Sequence, residues 1–260
     1  MKVLWLTDLH VDKLEDKKYR QLLKLIVTSK PDAIWLTGDI GDPPHHIQFL
    51  EALLKNYKKS LYFVLGNHDY YSHKIADMRL KMHELTQSYP QAVYLSKASG
   101  IYVDKHLIVG MDCWANTGKD TIQKTTWDSD MIMDLDSANE SNLARQLNAL
   151  AEFDAKKLLA RCQRQIHEKT SKVSILTHVP PTDALQGQYR VKPLQKNRSI
   201  FYSPALSEVL HQLALDFPTV QFNVYSGHIH QTQKYQISEN VFGHVARAYQ
   251  PSKPLNWINI

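Results

Sequence analysis

Residues 61–69 read Leu-Tyr-Phe-Val-Leu-Gly-Asn-His-Asp. Five apolar residues rich in β-formers predict a buried strand. The next four place a glycine, an amide, an imidazole and a carboxylate at its carboxyl end. The same construction recurs four times. Val3–Thr7 runs into Asp8-Leu9-His10, Ala33–Thr37 into Gly38-Asp39, Val173–Thr177 into His178, and Val220–Ser226 into Gly227-His228-Ile229-His230. In open α/β sheets ligands bind outside the carboxyl ends of the strands. Five such ends, in one sheet or two facing sheets, can therefore converge on one edge.

The segments between these strands are helical in pattern. Residues 15–29 carry Leu22, Leu23, Leu25 and Ile26, and residues 44–56 carry Ile47, Leu50, Leu53 and Leu54. A third helix is expected around 74–88. Apolar runs alternating with amphipathic helices predict an α/β fold with parallel strands. Val93–Leu95, Ile101–Val103 and Leu107–Gly110 leave little room for helices and are read as a second sheet. Residues 115–137 carry five aspartates around Trp127 and are read as a surface excursion. One long helix over 138–169 follows. Residues 184–203 form a loop with four basic residues and no acid, and Pro204–Phe217 is helical. Tyr235–Ile237, Val241–Val245 and Trp257–Ile260 read as a β meander. No repeat or linker is visible, so residues 1–260 are expected to form one domain, with the excursion and long helix at about 115–169.

Composition narrows the function classes. The 260 residues are 43% hydrophobic and 22% charged, an ordinary globular mixture. No apolar run approaches the roughly 20 residues of a membrane span, so no membrane partner is expected. The amino terminus, with Asp8 and His10 close behind it, does not read as a signal peptide. Two cysteines cannot make a disulfide scaffold; a reducing, cytoplasmic setting is the expectation. A net charge of +5 permits anionic partners without requiring nucleic acid. Only nine glycines are present, against about 18 at average usage. Gly38, Gly41, Gly66 and Gly227 all lie beside Asp, Asn or His, where close backbone turns would be needed.

Asp8, His10, Asp39, Asn67, His178, His228 and His230 offer three oxygen ligands and four imidazoles, with no thiolate. That mixture suits borderline divalent metals such as Zn, Mn or Fe. Seven ligands exceed one tetrahedral ion and suit two ions sharing a carboxylate. In Asp8-x-His10 and His228-x-His230, the i, i+2 spacing puts both side chains on one side of an extended segment. Each motif alone has a plain structural reading as a turn or a strand end; their order, placement and number together point to a metal centre.

Asp-x-His, Gly-Asp, Gly-Asn-His-Asp, a later His and a final Gly-His-x-His, in that order from residue 8 to 230, resemble the calcineurin-like metallophosphoesterase superfamily. The resemblance implies a four-layer αββα sandwich, with two mixed sheets flanked by helices and a dinuclear site at the strand carboxyl ends. It implies that Asp8, His10, Asp39 and His230 hold one metal. Asp39, Asn67, His178 and His228 would hold the second, with Asp39 bridging. His68 would be the catalytic acid, oriented by Asp69. The sequence departs from the family pattern at Asp42-Pro43, where many members have Asp-Arg, and at Thr177, where Gly usually precedes the histidine.

Two cations about 3.5–4 Å apart lower the pKa of a bridging water and clamp phosphoryl oxygens. The resulting hydroxide would attack phosphorus in line, and His68 would protonate the leaving alkoxide. The expected substrate is a small phosphorylated molecule, monoester or diester, with nucleotides included. A nuclease acting on DNA or RNA is the alternative, and a non-catalytic metal-binding scaffold a third reading. Arg190, Lys192, Lys196 and Arg198 are candidate substrate contacts. Trp127 and Tyr189 could stack on a base or sugar, His45 could touch substrate, and the acidic stretch 120–136 could cover the basic loop.

Overall fold

The computed structural model describes residues 1–116, 127–135, 139–182 and 201–260. The first sheet is built from β1 (Lys2–Leu6), β2 (Ala33–Thr37), β3 (Ser60–Val64) and β4 (Ala92–Tyr94), all parallel neighbours in that order. The helices α1 (Asp16–Thr28), α2 (His45–Asn56) and α3 (Ile75–Ser88) are the crossovers between them. Every residue of β2 is buried. This is why its sequence is apolar from Ala33 to Leu36, with only Thr37 polar: a central parallel strand is covered on both faces.

The second sheet runs β5-β6-β7-β8-β10-β9, from β5 (Ile101–Val103), β6 (His106–Gly110), β7 (Lys172–Leu176), β8 (Gln221–Ser226), β9 (Gln233–Ser238) and β10 (Val241–Val245). Its inner strands β6, β7, β8 and β10 are parallel; β5 and β9 close the edges antiparallel. Between them in sequence lie α4 (Trp127–Met131), α5 (Glu140–Gln165) and α6 (Pro204–Asp216). Asn139 caps α5 by accepting from the Asn142 N–H at 3.0 Å, and Ser203 similarly caps α6.

Strand alternation sorts the side chains into layers. Val3, Trp5, Ala33, Trp35, Tyr62 and Val64 meet Ile108, Leu176 and Tyr225 between the two sheets. Their neighbours Leu4, Leu6, Ile34, Leu36 and Phe63 point outward and join the helical residues Leu22, Ile26, Phe49 and Leu53. Tyr225 seats its ring edge-on against both Trp5 and Trp35, at 5.1 and 5.2 Å. The outcome is two mixed sheets face to face with helices outside, and the carboxyl ends of β1, β2, β3, β7 and β8 on one rim.

Four expectations are corrected. The sequence predicts β4 in the second sheet; instead it pairs parallel with β3, Leu61 opposite Ala92, because the α3 crossover delivers it there. The carboxyl-terminal strands are not a meander. β9 and β10 form a hairpin, but β11 (Asn256–Asn259) leaves for the first sheet and pairs antiparallel with β1. That pairing covers a β1 edge whose backbone groups would otherwise be open. The long helix is shorter at both ends, since Ile166 has turned to extended backbone. Finally, the described part of the excursion is docked. Ile132 and Leu135 are buried, the Ser72 N–H donates to the Met131 carbonyl, and Asp134 accepts from the Ile75 N–H at 2.7 Å. No described helix is long and apolar enough to cross a membrane.

Candidate metal centre

The rim segments after these strands are tied together before any side chain is considered. Asp8 N–H donates to the Gly38 carbonyl, His10 N–H to that of Asp39, and Gly227 N–H to that of His178, at 2.9–3.1 Å. Asp8, His10, Asp39, His228 and His230 all have φ between 42° and 69°. Non-glycine residues seldom occupy this left-handed region, and such strain collects at functional sites. A Cβ on Gly66 would collide with the Asp39 carboxylate, and one on Gly227 with Thr7 and Asp8.

The turned backbone overrides the i, i+2 expectation. Asp8 and His10 do reach one place, but His228 and His230 diverge. One ligand atom each from Asp8, His10, Asp39 and His230 lies within 4.8 Å of the others. His230 Nε2 is 3.2 Å from Asp8 Oδ1 and 3.3 Å from His10 Nε2. His228 instead faces His178, Nδ1 to Nε2 at 3.2 Å, and His178 Nε2 is also 3.0 Å from Asn67 Oδ1. Asp39 looks both ways with different oxygens: Oδ2 is 3.8 Å from His10 Nε2, and Oδ1 is 3.3 Å from His178 Nε2.

The Asp8, His10, Asp39 and His230 donors fit a divalent cation, and His178, with Asn67 and His228 around its Nε2, leaves a second set of candidate donors on the other side of Asp39. Bonds of about 2.0–2.2 Å in tetrahedral geometry separate ligand atoms by about 3.3–3.6 Å. His178 Nδ1 donates to the Thr37 carbonyl at 2.8 Å, which fixes the ring and turns Nε2 to the site. Burial opposes the charge on Asp39 and Asp8. The histidines outweigh it, His178 holding Asp39 well below the carboxylate range and the His230 hydrogen bond lowering Asp8. Burial likewise opposes a proton on His178, but Asp39 outweighs it and pushes His178 up to about 10. His10 is lowered, chiefly by burial.

A prediction follows for chelator-stripped protein. With His178 pushed up to about 10, a proton at Nε2 would compete with an incoming cation for the same lone pair. Affinity at that half of the site should therefore fall about tenfold per unit as pH drops from 9 to 7. Calorimetric Mn²⁺ titrations in buffers of different ionisation enthalpy measure the release; a buffer-independent heat at pH 8 would contradict it.

His68 lies beside Asp39. Its N–H donates to Asp39 Oδ1 at 3.0 Å, and its ring meets His10 edge-on at 4.7 Å. Its Nδ1 is 2.9 Å from Asp42 Oδ1, and Nε2 is 3.4 Å from the Tyr71 hydroxyl. The expected partner, Asp69, is corrected. Its carboxylate is fully buried and turned away, accepting from the N–H groups of Ile40 and Gly41 at 2.9 and 3.1 Å and of Gly66 at 2.8 Å. Asp69 thus bolts the β2 rim segment to that of β3, and the carboxylate at the His68 ring is Asp42. The available signal was the second aspartate of Gly-Asp-x-x-Asp, which sequence reading considered only for the arginine missing after it.

Asp69→Ala would strip three backbone N–H groups of their acceptor, at about 1–3 kcal/mol each. The expected result is a fall in Tm on the order of 10 °C or more, with Asp69→Asn less affected. An unchanged Tm in thermal denaturation would refute the bolt.

Sequence reading also missed Asp128 and Tyr71. Asp128 Oδ1 accepts from Asn67 Nδ2 at 2.9 Å and from the Tyr71 hydroxyl at 2.5 Å. His45 sits beside Asp42, its Nδ1 3.3 Å from the Asp42 carbonyl. Arg190, Lys192, Lys196 and Arg198, with Tyr189, lie outside the described residues.

A carboxylate between two sets of candidate cation donors, with an imidazole beside it, is the arrangement of a metallohydrolase type of centre. Residues 1–232 match the model of the calcineurin-like phosphoesterases, and the chain belongs to that family of metal-dependent phosphoester hydrolases. Among solved structures it is similar to phosphopantetheinyl hydrolase from Mycobacterium tuberculosis, with 12% identity and a TM-score of 0.66 over 99% of this chain and 95% of that one. A dimetal phosphatase from Danio rerio gives 14% identity and a TM-score of 0.59, covering 95% and 87%. TT1561 of Thermus thermophilus gives 12% and 0.54, covering 95% and 89%. At such identities the likeness is one of fold. No curated protein matches the sequence significantly.

Proposed function

We propose that this chain hydrolyses small phosphate esters with a two-cation centre in which Asp39 is the shared ligand. Asp8, His10 and His230 complete one half, and Asn67, His178 and His228 the other. The observation that carries this reading is the division of Asp39, with Oδ2 toward His10 and Oδ1 toward His178. When bound, two divalent cations (Mn, Fe or Zn) would activate water and neutralise charge on the phosphoryl oxygens.

The chain's own groups supply the rest. His68 stands beside the shared carboxylate, where a scissile ester oxygen would lie, and is the proton donor to the leaving group. The Asp42 carboxylate accepts a hydrogen bond from Nδ1–H, so the ring is held with Nε2 free to face the leaving group. The strained, tied rim keeps these groups in place before substrate arrives. Two free, buried cysteines accord with a reducing compartment such as the cytoplasm.

A panel of alkyl phosphomonoesters, phosphodiesters, nucleotides and short nucleic acids, assayed with Mn²⁺, Fe²⁺, Zn²⁺ and Mg²⁺, tests the reading. Metal-dependent turnover of small esters is expected. Turnover confined to DNA or RNA would replace it with a nuclease. No turnover with any metal, despite stoichiometric loading, would leave a scaffold.

A further inference from the structure

We propose that Asp128, carried on α4, is a positioning residue that decides which end of the Asn67 amide faces the second half of the metal centre. The inference rests on Asn67 being a ligand, as read above. An asparagine amide has two ends of similar shape and opposite chemistry: the oxygen accepts and the nitrogen donates. Only the oxygen can serve a cation. A half-turn of the amide would present Nδ2 to His178 and remove one of the donors.

The geometry around Asn67 selects one orientation. Nδ2 is 2.9 Å from Asp128 Oδ1, and the amide oxygen is 3.0 Å from His178 Nε2. A carboxylate oxygen accepts, so it draws the NH₂ end and leaves the oxygen to the imidazoles. The Tyr71 hydroxyl donates to the same Asp128 oxygen at 2.5 Å. That oxygen is therefore an acceptor for two converging donors, and a carbonyl turned toward it would meet only repulsion.

Asp128 is not an incidental surface acid. It is 61 residues from Asn67 in sequence and reaches it because α4 is clamped onto the chain just after Asn67. Ser72 N–H donates to the Met131 carbonyl at 2.6 Å, Met133 N–H to that of His73 at 3.1 Å, and Ile75 N–H to Asp134 Oδ2 at 2.7 Å. Ile132, next in the chain, is buried. Two aspartates of the otherwise unexplained acidic stretch thus have a place: Asp134 fastens the segment and Asp128 orients a ligand.

The test is Mn²⁺ binding, read by calorimetry and by the paramagnetic resonance signal of coupled Mn²⁺ pairs. Asp128→Asn has nearly the same shape but can offer either end to Asn67. It should weaken the second Mn²⁺ by about 10–100-fold, the usual effect of losing a partner behind a ligand, and leave the first in place. The double variant Asn67→Asp/Asp128→Asn reverses donor and acceptor: the new carboxylate keeps one oxygen for the cation and accepts from the new amide with the other. It should recover most of the lost affinity and the coupled signal, which a merely structural role for Asp128 would not produce. Wild-type affinity in Asp128→Asn, or no recovery in the double variant, would overturn the proposal. Asn67→Ala separates it from the reading beneath it. If that variant still binds two Mn²⁺ normally, Asn67 is no ligand. If it loses one while Asp128→Asn loses none, only the positioning role fails.

Discussion

Asp39→Asn should leave no measurable turnover on any phosphate ester and should lower the bound metal from two ions to fewer than one per chain. Its two oxygens face opposite halves of the centre, Oδ2 toward His10 and Oδ1 toward His178. An amide offers one accepting oxygen and no charge, so one half loses its anion and the other keeps a neutral ligand at best. The remaining carboxylate, Asp8, already accepts from the Thr7 hydroxyl at 2.7 Å and from the His228 N–H. Loss of His230 or His10 should be milder, because each serves one half. Elemental analysis and titration of each variant give the order. Two ions and normal turnover in Asp39→Asn would exclude it as the shared ligand.

His68→Ala should keep both metals and lose roughly 10²–10⁴-fold in kcat on an alkyl phosphate ester, the usual contribution of general acid catalysis. On a nitrophenyl ester, whose leaving group needs no proton, the loss should be much smaller. Asp42→Asn should lie between wild type and His68→Ala, since it replaces the carboxylate at Nδ1 by a neutral amide and keeps the acid. Asp69→Asn should not share this dependence on the leaving group, because Asp69 faces three backbone N–H groups. Equal losses of His68→Ala on both esters, with metals retained, would make His68 a phosphate contact instead. Loss of one metal would make it a ligand.

Much of the site could be read from the chain because parallel strands end predictably. An apolar run such as Val3–Thr7 must be buried, and its carboxyl end must emerge at a rim; five such ends gathered the ligand-type residues. The reading weakened wherever two aspartates competed for one role. Asp69 follows His68 in sequence, yet a neighbour along a tight turn need not share its side. The ring is met by Asp42, 26 residues earlier. Asp128 was lost among five aspartates for the same reason, since no local periodicity marks which acid turns inward.

The order of strands shows the same division. Legible in the chain were the burial of β1, β2, β3, β7 and β8 as parallel strands, the ligand-type residues at their ends, and the glycines placed next to Asp, Asn or His. These follow from burial, alternation and hard-sphere contact, which act over a few residues. What the fold had to supply was that β4 joins β3, that β11 returns to β1, and that α4 folds back to Asn67. Those choices depend on which edge, cavity or unpaired donor another part of the chain presents, and the partners lie tens to hundreds of residues away.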